Sequence, residues 1–286
     1  MTTVYLQPTI AAALIKAEEK LDTTEWIGCN PEQDSLIANL PDLRGLVADM
    51  PSGLQEAIGS DDADVINAWL AERGYSIHLD AFAPGDIGVA AALDVMAKWK
   101  HPGSPIQIHH KNSFYPAVLM KEGFTAFNSR GRAVIQPHAD VRVLMVAATD
   151  LEDGLAVLRG ELVEDGEVET VAFPMVDHAA EVDMSWLVGL QAGAAHLSQV
   201  VAQAKLRINE LGAHAKAAVA MRVTRSASMG KRVTIAEPFV IAFMHETMIM
   251  IAFHVTPEAW KKPPNLGEAS RTTKAGASRL NTGGAL

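Results

Sequence analysis

The stretch from residue 209 to residue 243 is the part of this chain best suited to do chemistry. A strand-like run closes with Asn209-Glu210-Leu211-Gly212. Small residues follow, Ala213-His214-Ala215-Lys216-Ala217-Ala218-Val219-Ala220, then the polar Met221-Arg222-Val223-Thr224-Arg225-Ser226. A second apolar run, Ile235-Ala236-Glu237-Pro238-Phe239-Val240-Ile241-Ala242-Phe243, ends it. The chemistry this order suggests is mechanical. Small side chains let an extended peptide slide between strands, where bulky ones would clash. With an alternating period, Ala213, Ala215, Ala217 and Val219 share one face, and His214, Lys216, Ala218 and Ala220 the other. The same residues also fit a helical turn, and Arg222, Arg225, Lys231 and Arg232 also fit an ordinary solvated loop.

Other chemistries are less well supplied. The chain has ten histidines. His109 and His110 are adjacent, which on a strand sends them to opposite faces. No His-x3-His or Cys-His spacing points to zinc. No Gly-x-Gly-x-x-Gly, phosphate-binding loop or Gly-x-Ser-x-Gly elbow occurs. Asp61, Asp62 and Asp64 read as the start of a helix, not as an acid/base pair. Met244, Met248 and Met250 read as core packing beside Phe243 and Phe253. No metal and no cofactor is expected.

The 286 residues suffice for one large domain or two small ones, and nearly half are hydrophobic. A net charge of −10 argues against nucleic acid and anionic membranes as partners. Cys29 is the one cysteine, so no intrachain disulfide forms. The N-terminus lacks the basic-then-apolar order of a secretory signal, and no apolar run approaches the roughly 20 residues needed to span a bilayer. The expectation is a soluble protein, cytoplasmic as encoded, with secretion of a processed form left open.

The elements that must position the 209–243 stretch can be read from periodicity. Ile10, Ala13, Leu14, Ala17 and Leu21 define a helix over 9–21, with Pro8 in its first turn. Asp22-Thr23-Thr24-Glu25 suggests a short capped helix around Trp26. Residues 30–62 read as helical fragments broken by Pro31, Pro41 and Pro51. Asp64 to Gly74 is a helix with Asp64 as cap. Ile87 to Trp99 fits a buried strand or a helix. Strands are expected at 124–127, 133–135, 141–147, 168–175 and 200–209, with helices at 151–162 and 186–190. Residues 234–243 and 248–255 read as a hairpin across His245-Glu246. Residues 1–260 read as a single domain and 261–286 as a flexible tail, too poor in apolar side chains to fold. The order fits the α+β class.

Several of these segments together resemble the serpin family. Val4 to Leu14 is similar to the segment entering the helix buried behind the serpin main sheet. Thr23-Thr24 falls where the family has a short capped helix. Ile66 to Leu70 is similar to the helix lying across the front of the sheet. Ala91 to Trp99 resembles the strand that ends in a tryptophan where the loop first enters. Ala147 to Gly154 resembles a strand and acidic turn ahead of a helix. Leu197 to Gly212 resembles the strand leading to the hinge, and Ile249 to Pro257 the closing strand. The spacing from Gly212 to Phe239 is that of the family's exposed loop. The chain is short for a serpin, which marks it as a reduced member.

The resemblance implies a large, mostly antiparallel central sheet with helices packed behind it and a second, smaller sheet. It implies a suicide-substrate inhibitor of a serine protease, with a hinge at Glu210, Gly212, Ala213, Ala215, Ala217 and Val219. Arg225-Ser226 falls at the expected reactive bond, with Arg222 or Met229 as alternative cleavage positions, and an arginine there suits the acidic pocket of a trypsin-like protease. Three departures favour the alternative, a non-inhibitory binding module or a co-opted small-molecule enzyme. Gln7 stands where a serine is common, Ala202 where a histidine is common, and Leu211 where a polar residue is usual.

Overall fold

Helix formation at the N-terminus follows from the apolar face read above, and the rest of the fold is built against that helix. The structure is a computed structural model. It describes residues 3–51, 53–127, 132–135, 141–160, 168–213, 231–246 and 248–262. In chain order the first elements are β1 (Thr3–Tyr5), α1 (Gln7–Leu21), β2 (Trp26–Ile27), α2 (Pro31–Asp49), β3 (Gln55–Ser60), α3 (Ala63–Glu72), β4 (Gly88–Leu93) and β5 (Ala97–Lys98). Next come β6 (Ser104–His110), β7 (Ser113–Met120), β8 (Phe124–Phe127), β9 (Arg132–Ile135), β10 (Val141–Ala147) and α4 (Leu151–Arg159). Then follow β11 (Val168–Pro174), β12 (Val176–Val182), β13 (Gln191–Ala192), β14 (Ala195–His196), β15 (Ala202–Asn209) and β16 (Gly212–Ala213). The last strands are β17 (Lys231–Thr234), β18 (Phe239–His245) and β19 (Met248–Val255).

The class is α+β, as the order of elements implied. The largest sheet has the order β1-β19-β18-β10-β9-β8, and its neighbours are all antiparallel. A four-stranded sheet, β17-β11-β7-β6, holds the one parallel pair among the described residues, β11 with β17. A second four-stranded sheet, β12-β15-β16-β5, carries Gly212 and Ala213 of the expected hinge. The hairpin β3-β4 stands next to it in sequence, since β4 leads into β5. Trp99, Phe173, Phe239, Ile241, Phe253 and Trp260 belong to one continuous apolar core. Trp260 seals its end, with its ring 5.1 Å from those of His110 and Tyr115.

Four readings need correction. Trp26 lies on a strand, not a helix. Its indole Nε1 donates to Glu18 Oε1 at 2.7 Å, and Arg44 binds the same oxygen at 2.6 Å. A buried partner on α1 thus overrides the local capping residues. Residues 31–49 are one helix, not fragments. Pro31 sits in its first turn, Asn30 caps it by accepting from the Gln33 N–H, and Pro41 is accommodated inside. Beyond it, 55–60 form β3, a strand that the proline-based reading did not place. The cap of α3 is Asp62, whose carboxylate accepts from the Asp64 N–H. The run 234–243 is broken, because Pro238 offers no N–H, and β17 ends at Thr234 in a different sheet from β18. Two helices are also shorter than expected. One ends at Arg159 ahead of Gly160, and the other is a single 3-10 turn, Ser185–Leu187. The ambiguous 87–99 run resolves into β4 and β5. The hairpin of β18 and β19 has the expected place, with Glu246 at φ 51° in its turn.

α1 and α3 lie on opposite faces of the β3-β4 hairpin. On one face, the Gln55 amide donates to Pro8 O, and Gly59 lies against Lys16 and Lys20. On the other, Glu56 pairs with Arg73 at the end of α3. Among the described residues, no helix is long and apolar enough to cross a membrane. The expected tail lies outside the described residues from residue 263 onward.

Replacing Glu18 by alanine leaves the Trp26 N–H without its buried acceptor and Arg44 without its counter-ion. The expected loss is about 1.5–3 kcal/mol, read as a lower urea midpoint with unchanged slope.

Candidate functional site

β15 alternates strictly, and that alternation builds the site. Ala204, Leu206 and Ile208 are buried, while Gln203, Lys205 and Arg207 lie on the other face. One edge of β15 pairs with β12 along its length, from Val182↔Ala202 to Val176↔Ile208. The other edge pairs only at its end, where Ile208 faces Ala213 and Asn209 faces Gly212.

The chain reverses tightly between those pairs. The Asn209 side-chain oxygen accepts from the N–H groups of Leu211 and Gly212, at 2.9 and 3.1 Å. The Trp99 indole donates to Asn209 O at 2.9 Å, and the Trp99 N–H to Leu211 O at 3.0 Å. The Gly103 N–H donates to Glu210 O at 2.7 Å. The backbone of the turn is thus held from three sides, while the Leu211 side chain is 55% exposed. One carboxylate oxygen of Glu210, Oε2, is buried with no hydrogen-bond partner.

After the turn, Gly212 and Ala213 form a strand between two neighbours. Gly212 pairs with Asn209 and Lys98, and Ala213 with Ile208 and Ala97. β16 is antiparallel to both, so β15 and β5 run parallel to each other. Ala213 is fully buried. The glycine is required by close approach: a Cβ at 212 would lie 2.4 Å from Ala97 O and 3.1 Å from Lys98 Cα. Both are backbone atoms and cannot swing away.

Beyond Ala213 the two flanking strands part around a cavity of about 540 Å³. Val89 to Val95 line one side and Gln199 to Arg207 the other. β4 is paired with β3 on its far edge, over all of Gly88 to Leu93. Among the described residues neither facing edge has a strand partner along the cavity. Leu6, Thr9, Ile10, Ala13 and Leu14 of α1 line it from one face of the sheet. Leu70 of α3 and the following Tyr75, Ile77 and Leu79 line it from the other. Side chains of β15 and of Gln199 just before it tie that following segment down. Gln203 accepts from the Ser76 N–H and donates to its hydroxyl, at 3.1 and 2.9 Å. Gln199 accepts from the Asp80 N–H at 2.9 Å, and Lys205 donates to Gly74 O.

Of the residues expected to form the hinge, Glu210, Gly212 and Ala213 are therefore brought together at the head of this cavity. Ala215, Ala217 and Val219, and the expected reactive bond Arg225-Ser226, lie outside the described residues. The sequence reading missed the anchoring role of Asn209 and Gly103, and it missed the cavity itself. The polar positions 199, 203, 205 and 207 carried an outward-facing signal, an odd-numbered row opposite the apolar 204, 206 and 208. Nothing local announced that the row would tie down residues 74–80. Among the described residues no cluster of histidine, cysteine and carboxylates forms a metal site.

This arrangement is the serpin fold. No protein-family model matches the sequence, and no curated protein matches it. Solved structures do match, at identities that speak for architecture alone. Serpin48, a highly specific serpin of the insect Tenebrio molitor, superposes with a TM-score of 0.53 at 13% identity, over 89% of this chain and 91% of that one. Human thyroxine-binding globulin in complex with its hormone gives 0.52 at 13%, over 88% and 91%. Human glycosylated kallistatin gives 0.52 at 12%, over 89% and 91%.

Two substitutions test how the hinge is held. Gly212→Ala forces β16 away from β5 and costs about 1–3 kcal/mol in thermal or urea unfolding. Trp99→Phe replaces the buried indole by a smaller phenyl and removes the bond to Asn209, at about 1–3 kcal/mol. Hydrogen exchange at the amides of residues 211 to 213 rises in both variants.

Proposed function

We propose that this protein is a serpin-like suicide-substrate inhibitor of a serine protease with trypsin-like specificity. The observation that carries the reading is the seat of Gly212 and Ala213. They already pair as a strand, antiparallel to both neighbours, at the head of a slot whose two edges lack a partner strand among the described residues.

The register extends simply. With Ala213 opposite Ile208, an inserted strand puts residue 215 opposite Leu206, 217 opposite Ala204 and 219 opposite Ala202. Directly opposed residues in an antiparallel pair share a face. Ala213 and Ile208 are both buried, so Ala215, Ala217 and Val219 take inward positions, where small side chains fit. The strand satisfies two rows of backbone N–H and C=O groups at once, and that gain drives the change.

In this reading the protease serine Oγ attacks the Arg225 carbonyl carbon. The Arg225–Ser226 amide breaks, the Ser226 nitrogen leaves as an amine after taking a proton, and Arg225 is held as an ester on the protease. Insertion from Gly212 onward then draws the acylated protease along before water can release it. For insertion, the segment tied down by Gln199, Gln203 and Lys205 has to lift from the slot.

A second reading, a non-inhibitory binding module, draws on the cavity and on the likeness to a globulin solved with thyroxine. Two experiments separate the readings. On incubation with trypsin, the inhibitor forms a covalent complex that survives boiling in detergent, and Arg225→Ala abolishes it. Cleavage in the loop raises the melting temperature by on the order of 10 °C, because a new strand adds several backbone hydrogen bonds. Cleavage with no complex and an unchanged melting temperature overturns the inhibitor reading. In the double variant Gln199→Ala/Gln203→Ala, the tied segment is freed. A larger share of cleavage events then ends in complex, measured as a lower ratio of trypsin substrate turnover to inhibition.

A further inference from the structure

We propose that the cavity between β4 and β15 binds an amphipathic monocarboxylate, a molecule with an apolar body and one acid head. Its volume, about 540 Å³, lies within the roughly 300–1,000 Å³ usual for small-molecule sites. The walls are largely apolar, with Leu14, Leu70, Met184, Leu187, Phe243 and Phe253 contributing from five separate elements and loops. Two lining residues hold polar atoms that are buried and unpaired, Thr9 Oγ1 and His178 Nε2. A buried polar group without a partner costs about 1–3 kcal/mol, and a ligand atom that pairs with either one recovers part of that. Burial also pushes the His178 imidazole below the usual histidine range, so it meets a ligand in its neutral form.

The charged rim places the acid head. Arg73 is paired with Glu56, and Arg207 with Asp177. Asp94 lines the β4 side and repels an anion there. Lys205, on the β15 side, donates to Gly74 O and lies 5.6 Å from the Tyr75 ring centroid. Among the described residues no carboxylate forms an ion pair with it. The head therefore sits at Lys205 with the body directed toward α1.

The walls of this site are also the edges that an inserting strand needs, so ligand and inserted strand exclude each other. That exclusion rests on the inhibitor reading, whereas binding to the uncleaved chain does not. The test is fluorescence titration of the full, uncleaved chain with dansyl-labelled undecanoic acid and with its methyl ester. Saturable binding at one site per chain is expected, with the acid tighter than the ester. Ala13→Trp fills the cavity from α1 and weakens both probes at least about tenfold. Lys205→Gln weakens the acid by about threefold to fivefold, as befits a solvent-screened ion pair, and leaves the ester unchanged. Circular dichroism checks that Ala13→Trp is folded; if it is not, the comparison of acid with ester in Lys205→Gln decides alone. Absence of saturable binding, or binding indifferent to the substitution at position 205, overturns the proposal. Loop cleavage of the loaded chain then releases the probe if strand and ligand compete. Retention of the probe after cleavage overturns the competition but leaves the site standing.

Discussion

Backbone hydrogen bonding at two facing strand edges is the constraint on which the rest of the molecule depends. Among the described residues, 88–93 of β4 and 202–207 of β15 are each paired on one side only. A buried backbone group without a partner is costly, so under the proposed inhibitor reading a further strand entering between these edges would be favoured. Everything around the slot bears on that condition. Gly212 and Ala213 start a strand and stop the edges from closing at one end. α1 backs the opening, and the segment after α3 covers it from the front.

The hinge shows how little side-chain volume the wedge tolerates. At position 212 a methyl group meets two backbone atoms of β5, and at 213 the alanine has no exposed surface. The turn before them is secured by the Trp99 indole, the Asn209 amide oxygen and the Gly103 N–H, which come from two distant parts of the chain. The anchoring is therefore tertiary, although the hinge residues themselves are consecutive. The buried, unpaired Glu210 oxygen works against it.

The cavity gives the two functional readings a common physical basis. A strand slot and a small-molecule site need the same thing, an apolar volume bounded by groups whose hydrogen-bonding capacity is unspent. Which occupant prevails depends on reach and chemistry. In the inhibitor reading a strand would enter from Ala213 and use the backbone edges, whereas the proposed ligand would use the apolar walls, Thr9, His178 and Lys205. Strand and ligand would act at the same place in opposite senses.

The sequence alone determined the elements whose burial pattern is local. The apolar face of α1, the alternation of β15 and the pair β18 and β19 were legible because each repeats with the period of its own backbone. So was the order of segments that resembles a serpin. Tertiary structure alone decided what depended on distant partners. Trp26 became a strand residue because Glu18 awaited its indole, and Pro41 was absorbed into a long helix whose Leu36, Leu40 and Leu43 are buried in the core beside it. The cavity was invisible in the sequence for the same reason. Its walls come from α1, β4, β15 and the segment after α3, and no period along the chain records the space left between elements once they have packed.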